Sequence, residues 1–325
     1  MNFIKDKINY MKNFISCNKW LLQIRLIYLL FLNFENKSLI LNILIFVGVI
    51  KTFFNFKMIK SLILYKKSIN NNENTIAFTY KYLVQKEKNR ILGFILYEDK
   101  MPDKFLNIQD SEIINKIRHN KGSIILGVHY GPDCTNMLLK HAGIDAKVLS
   151  ASLGLNYLHY MLKFGNESLM NSKTKYFSKN DAIILAHKGE KKLIKHIKED
   201  KNILIFLDLP IHKKEVGVLT PFLGMTRNFS YFAFKLSINY NKPIFICYQE
   251  KSEEKDKYNI RFKELNNFST QEEGLKQYLS FVEELIKKDP SMWFFAPLMK
   301  KWGKEALEMQ REKQYDLPKK EVSVR

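Results

Sequence analysis

Residues 125–134 read ILGVHYGPDC. An apolar run of the kind that forms a buried strand ends here in a histidine, a glycine, a proline and an aspartate. Two readings compete: an ordinary tight turn, or a catalytic base carried to the end of a sheet with a carboxylate close behind. The surrounding chain bears on the choice. From Lys121 onward short apolar runs alternate with amphipathic stretches, the pattern of a sheet flanked by helices. The strand candidates are SIILGV, AKVLSA, NILIFLD, KPIFICYQ and YNIRF. Helices are predicted over Asp181 to Asp200, where Ile184, Leu185, Lys188, Leu193 and Ile197 recur at near-helical spacing, from about Asn228 through Ile238, and from Gln271 to Lys288. The fold class expected is therefore α/β, a mixed sheet flanked by helices. Open α/β sheets gather their sites beyond the carboxyl ends of the strands, which puts His129 where chemistry is done.

The chain of 325 residues, 46% of them hydrophobic, is long enough for one large core or two modest ones. Three widely spaced cysteines, Cys17, Cys134 and Cys247, write neither a disulfide framework nor a zinc cluster. A formal charge of +20, from 53 Lys+Arg against 33 Asp+Glu, attracts phosphates, anionic lipid headgroups or acidic proteins without choosing among them. No helix-turn-helix, zinc-finger or RNA-binding signature is present, and the aromatics sit in apolar runs rather than on basic stripes, so no specific nucleic-acid partner is expected. The histidines show no paired ligand spacing, and no metal or cofactor is expected.

Two apolar segments, Trp20 to Phe34 and Leu39 to Phe56, are each interrupted by polar or charged residues and fall short of an uncharged spanning run. Residues 1–75 hold eleven Lys/Arg and three Asp/Glu. Apolar faces flanked by lysines suit an interfacial helix on an anionic leaflet; a helical hairpin packed on the main domain is the alternative. The polar stretch SINNNENT, Ser68 to Thr75, is the candidate boundary. The expected organisation is a basic N-terminal membrane-associating region over 1–75, an α/β domain over 76–303 and a charged tail over 304–325.

A neutral imidazole removes a proton from a hydroxyl when its other nitrogen is held, and a neighbouring carboxylate does this while stabilising the imidazolium. Pro132 suits a first helical turn, which would leave Asp133 near a helix N-terminus, either orienting His129 or merely stabilising the helix start.

The stretch HYGPDC, the later LDLPIHKKEVGVLTPFLGMTRNFSYFAFKLS and the block DPSMWFFAPLMKKW together resemble the bacterial lipid A biosynthesis acyltransferases, a branch of the lysophospholipid and glycerolipid acyltransferase superfamily. The resemblance covers roughly Lys81 to Trp302. His129, Tyr130 and Gly131 match the family's histidine, aromatic residue and glycine. The family's carboxylate follows five positions after the histidine; here position 134 is Cys134, and the nearest carboxylate is Asp133, one residue early. Asp208 matches the end of a strand, and Pro221, Phe222 and Gly224 match a Pro-Phe-Phe-Gly segment that, by resemblance, shapes the acyl and acceptor site; the resemblance implies that Tyr130, Gly131, Asp208, Pro221, Phe222, Gly224 and Arg227 are substrate-binding residues. Met292 and Trp293 match a Met-Trp pair at the end of the family's domain.

The resemblance implies transfer of a fatty acyl chain from a thioester, on acyl carrier protein or coenzyme A, to a hydroxyl of a membrane lipid acceptor, a lipid A precursor first of all and a phospholipid as the alternative. His129 would be the general base and Asp133 its orienter, with backbone N–H groups or Arg227 at the oxyanion. The expected location is the cytoplasmic face of a bacterial inner membrane, peripheral or held by a single N-terminal anchor. Two other readings stay open: Cys134 as a nucleophile with His129 as its base, and a non-catalytic lipid-binding protein of the same fold.

Overall fold

The computed structural model describes residues 56–99, 105–120, 122–132, 134–150, 183–211, 216–254 and 257–302. The two apolar N-terminal segments, Asp133 and the charged tail lie outside the described residues. In chain order the elements are α1 (Phe56–Ser68), α2 (Thr75–Asp99), β1 (Leu106–Ile108), α3 (Ser111–His119), β2 (Ile124–Gly127), α4 (Thr135–His141), β3 (Ala146–Ser150), β4 (Ile183–Leu185), α5 (Ala186–Lys198), β5 (Asn202–Phe206), β6 (Val218–Phe222), β7 (Met225–Phe229), α6 (Phe232–Tyr240), β8 (Ile244–Lys251), β9 (Tyr258–Leu265) and α7 (Gln271–Lys288). Two 3₁₀ turns follow, at Pro290–Met292 and Ala296–Leu298.

The sheet has the order β1-β9-β8-β2-β5-β3-β4. Strands β8, β2, β5, β3 and β4 run parallel, β9 runs against β8, and β1 runs parallel to β9. The expectation of an α/β protein with a mixed sheet holds. All five strand candidates form, and β2 is buried along its whole length, as a central parallel strand must be when helices cover both faces.

Two helices differ from the sequence reading. Ile183–Leu185 is a strand paired with β3, so the helix expected from Asp181 begins only at Ala186. A short apolar run reads equally well at either period, and here the exposed edge of β3 decided it. The helix expected from Asn228 begins at Phe232, because Met225–Phe229 pairs antiparallel with Val218–Phe222 in a separate hairpin. Its two-residue turn, Leu223 and Gly224, has φ of 49° and 71°, the left-handed pair that a tight hairpin needs. Helix α7 matches its predicted span; its cap Thr270 accepts the Glu273 N–H at 3.2 Å, and Glu273 accepts Ser269 N–H at 2.9 Å.

The core reaches back into the stretch assigned to the N-terminal region. Met58, Leu62 and Tyr65 of α1 and Ile69 just past its end are buried, and Tyr65 meets Phe78 and Tyr82 of α2 across the polar turn between the helices. In that turn Asn74 accepts Ile76 N–H at 2.9 Å and starts α2. SINNNENT is thus a connection within a packed helix pair. Among the described residues no helix is long and apolar enough to cross a membrane.

Candidate active site

Strands β2 and β5 are neighbours in parallel register, with Gly127 opposite Phe206 at their carboxyl ends. Two residues further along each chain come His129 and Asp208, so equal steps from a fixed register bring an imidazole and a carboxylate to the same height. His129 Nδ1 lies 2.7 Å from Asp208 Oδ1, and the His129 backbone N–H donates to Asp208 Oδ2 at 2.9 Å. Both carboxylate oxygens therefore bind the same residue. Asp208 is fully buried, and a buried carboxylate is retained where it has a cationic or hydrogen-bonding partner. The His129 side chain is 13% exposed. Its Nε2 has no hydrogen-bond partner among the described residues.

The ring is also fixed sideways. Phe206 lies 4.4 Å from it, centroid to centroid, and Phe295 meets it edge-on at 4.7 Å. Phe206 can lie there only because β2 has no side chain at Gly127: a Cβ at that position would come within 2.5 Å of the Phe206 ring.

The backbone around His129 is held by the third resemblance block. His129 C=O accepts Phe294 N–H at 3.0 Å, Gly131 N–H donates to Met292 C=O at 2.9 Å, and Tyr130 bridges to Trp293. Gly131 has φ of 87°, and a Cβ there would press on Gln249 and Met292. Gln249 in turn donates from Nε2 to Pro132 C=O at 2.9 Å. Tyr130 is buried, its hydroxyl donating to Leu285 C=O at 2.9 Å. Burial, then the charges of Asp289 and Glu250, push its pKa far up. Tyr130 and Gly131 thus shape and hold the loop.

The other candidates are placed as follows. Asp133, expected to orient His129, lies outside the described residues; the carboxylate that pairs with His129 Nδ1 among the described residues is Asp208. The helix expected to start at Pro132 begins at Thr135, so Pro132 precedes it. Cys134 is fully buried with Sγ 3.5 Å from Pro132 C=O, an enclosure that removes it from the role of nucleophile toward an incoming substrate. Phe222 is buried in the aromatic cluster behind the loop, 6.0 Å from Trp293, which also meets Phe295 and Trp302. Pro221 is exposed on the hairpin, and Gly224 sits at the hairpin tip beside Ser68. Arg227 is buried, and its Nη1 donates to Trp302 C=O at 3.1 Å, which directs it to the C-terminal segment. No group of His, Cys, Asp and Glu suited to a metal ion occurs among the described residues.

Sequence reading treated Asp208 as a substrate-binding residue and passed over Phe206 and Phe295. The signal was present: LGVH and IFLD are both apolar strands that end in a titratable residue. Only their adjacency was hidden. This dyad is a carboxylate, an imidazole and an open nitrogen, the arrangement that takes a proton from a hydroxyl and stabilises the resulting imidazolium. A scan against protein-family models found no match to this chain, and a search of curated proteins found none.

Proposed function

We propose that the protein is an acyltransferase that moves a fatty acyl chain from an acyl thioester, on acyl carrier protein or coenzyme A, to a hydroxyl of a membrane lipid acceptor, a lipid A precursor in the first instance. The observation that carries the reading is the 2.7 Å contact of His129 Nδ1 with buried Asp208, while Nε2 has no hydrogen-bond partner among the described residues. In the reaction Nε2 takes the acceptor proton as its oxygen attacks the thioester carbonyl, the C–S bond breaks as the tetrahedral intermediate collapses, and the thiolate leaves with the proton returned by the imidazolium. The three sequence blocks that resemble the lipid A biosynthesis acyltransferases support this choice. Two of them are in backbone contact, at His129–Gly131 and Met292–Phe294. The excess of basic residues suits an anionic leaflet, a phosphorylated acceptor and an acidic carrier protein.

The test is acyl transfer by purified full-length protein, with acyl carrier protein and coenzyme A thioesters as donors and lipid products identified by mass spectrometry. His129→Ala and Asp208→Asn each lose turnover by about 10²-fold or more, the usual worth of general-base catalysis. Full turnover in His129→Ala overturns the proposal. So does wild-type protein that transfers no acyl group to a lipid A precursor or phospholipid from either donor.

A further inference from the structure

The parallel ladder between β2 and β5 stops one hydrogen bond early. Ile203 N–H donates to Ser123 C=O at 2.9 Å, and this sets the phase of the ladder. Two steps of two residues along both strands bring Leu207 N–H to Gly127 C=O as the next bond after the paired stretch. That bond is not made. Gly127 C=O accepts instead from the Tyr278 hydroxyl at 2.8 Å, and the Leu207 N–H faces the same phenol oxygen. Tyr278 projects from the middle of α7 and is completely buried. Burial first, and then the charge of Asp208, hold its pKa well above the ordinary 10.0, so the phenol remains a donor at any working pH.

We infer that Tyr278 is a positioning residue of the dyad: its hydroxyl takes the place of the last direct bond between β2 and β5, and so sets the separation at which His129 and Asp208 meet two residues later. The phenol donates to Gly127 C=O of β2 and stands beside the Leu207 N–H that follows β5, so it occupies the place of the missing ladder bond between the two strands. Without that spacer the ladder closes by one bond or leaves two buried groups unpaired, and either change is passed directly to residues 129 and 208. As a statement about turnover the inference rests on the acyl-transfer reading; as a statement about geometry it does not.

The experiment combines both readouts on the full chain. In Tyr278→Phe the ring remains and the hydroxyl goes. The His129 Nδ1 proton, followed by NMR in ¹⁵N-histidine-labelled protein, exchanges with water at least about tenfold faster, and kcat falls about tenfold with KM unchanged, because small misplacements cost rate rather than binding. Tyr258→Phe, which removes a buried hydroxyl bonded to Asn89 and Gln85 at the edge of the sheet, lowers Tm but changes neither readout. Incorporation of 3-fluorotyrosine at position 278, which keeps the fold and strengthens the donor, moves the His129 proton resonance. An unchanged exchange rate in Tyr278→Phe, or an unmoved resonance with fluorotyrosine, overturns the role of Tyr278. Absence of acyl transfer in every form, with the exchange effect intact, overturns the acyl-transfer reading and leaves the positioning role standing.

Discussion

Among the described residues, two places that invite a ligand lie at opposite ends of the sheet. One is the His129–Asp208 end. The other is an open groove of about 840 Å³ between the end of β9 and α7 as far as Glu284. Leu265 in that groove is opposite Ile244, which pairs with Ile124 at the start of β2, so the groove faces the amino ends of the parallel strands. Its walls are largely polar, with Lys263, Lys276, Glu272, Glu273 and Glu284 among them, side chains that water already serves. At the other end there is one imidazole and one fully buried carboxylate, with aromatic rings on two sides. Open space by itself does not locate chemistry. A buried carboxylate bonded to an imidazole and to the same residue's backbone N–H is the better candidate, because such burial is costly unless it is used or fully compensated.

Substitutions that separate the two ends break or sharpen this comparison. The largest effect is expected from His129→Ala and Asp208→Asn, which abolish most turnover, while Glu284→Gln in the groove leaves kcat/KM unchanged. Equal losses at both ends would erase the distinction. Next comes Gly127→Ala. Its methyl group meets the Phe206 ring, which must leave the imidazole, so unfolding by denaturant shows a loss of about 1–3 kcal/mol, typical of overpacking, and turnover falls further than that loss explains.

Alkaline pH gives a third measurement. Burial raises the Cys247 thiol well above its ordinary 9.0, and burial with Asp208 raises Tyr278 above 10.0. Groups whose folded pKa lies above the unfolded value contribute stability that is complete below the unfolded pKa and is lost as pH rises beyond it. Tm is therefore flat from neutrality to about pH 9 and then falls, and Cys247→Ala makes the early part of that fall shallower. Among the smallest effects is Gly224→Ala at the hairpin tip, where φ is 71° and a Cβ would meet Ser68 only at ordinary contact distance; a cost of about 1 kcal/mol in stability is expected from the left-handed backbone alone. Lys263→Ala, which removes a cation standing 4.5 Å from the Phe281 ring at the groove, costs about 0.5–1 kcal/mol.

Much of the fold was legible because β2, β5, β8 and β9 are apolar runs too short for helices and bounded by polar residues, and because α7 carries its own cap and period. The readings that failed did so where local signals were degenerate. AIILA serves a strand as well as a helix, and TRNFS was drawn into a hairpin by a turn that places a leucine, not a glycine, first in the left-handed region. The site divided in the same way. His129 was found from its own neighbourhood, since an apolar strand that ends in an imidazole is a local pattern. Its partner was sought in the same neighbourhood, at Asp133, and was found 79 residues away at Asp208.

The sequence by itself determined the class of fold and the strand whose carboxyl end carries His129, properties of residues close together along the chain. Only the tertiary structure decided which carboxylate holds the imidazole, which rings confine it and which hydroxyl spaces the strands beneath it. Those choices depend on which strands lie side by side and in what register, and hydrogen bonds between distant segments fix the register through the burial of whole faces rather than through any short motif.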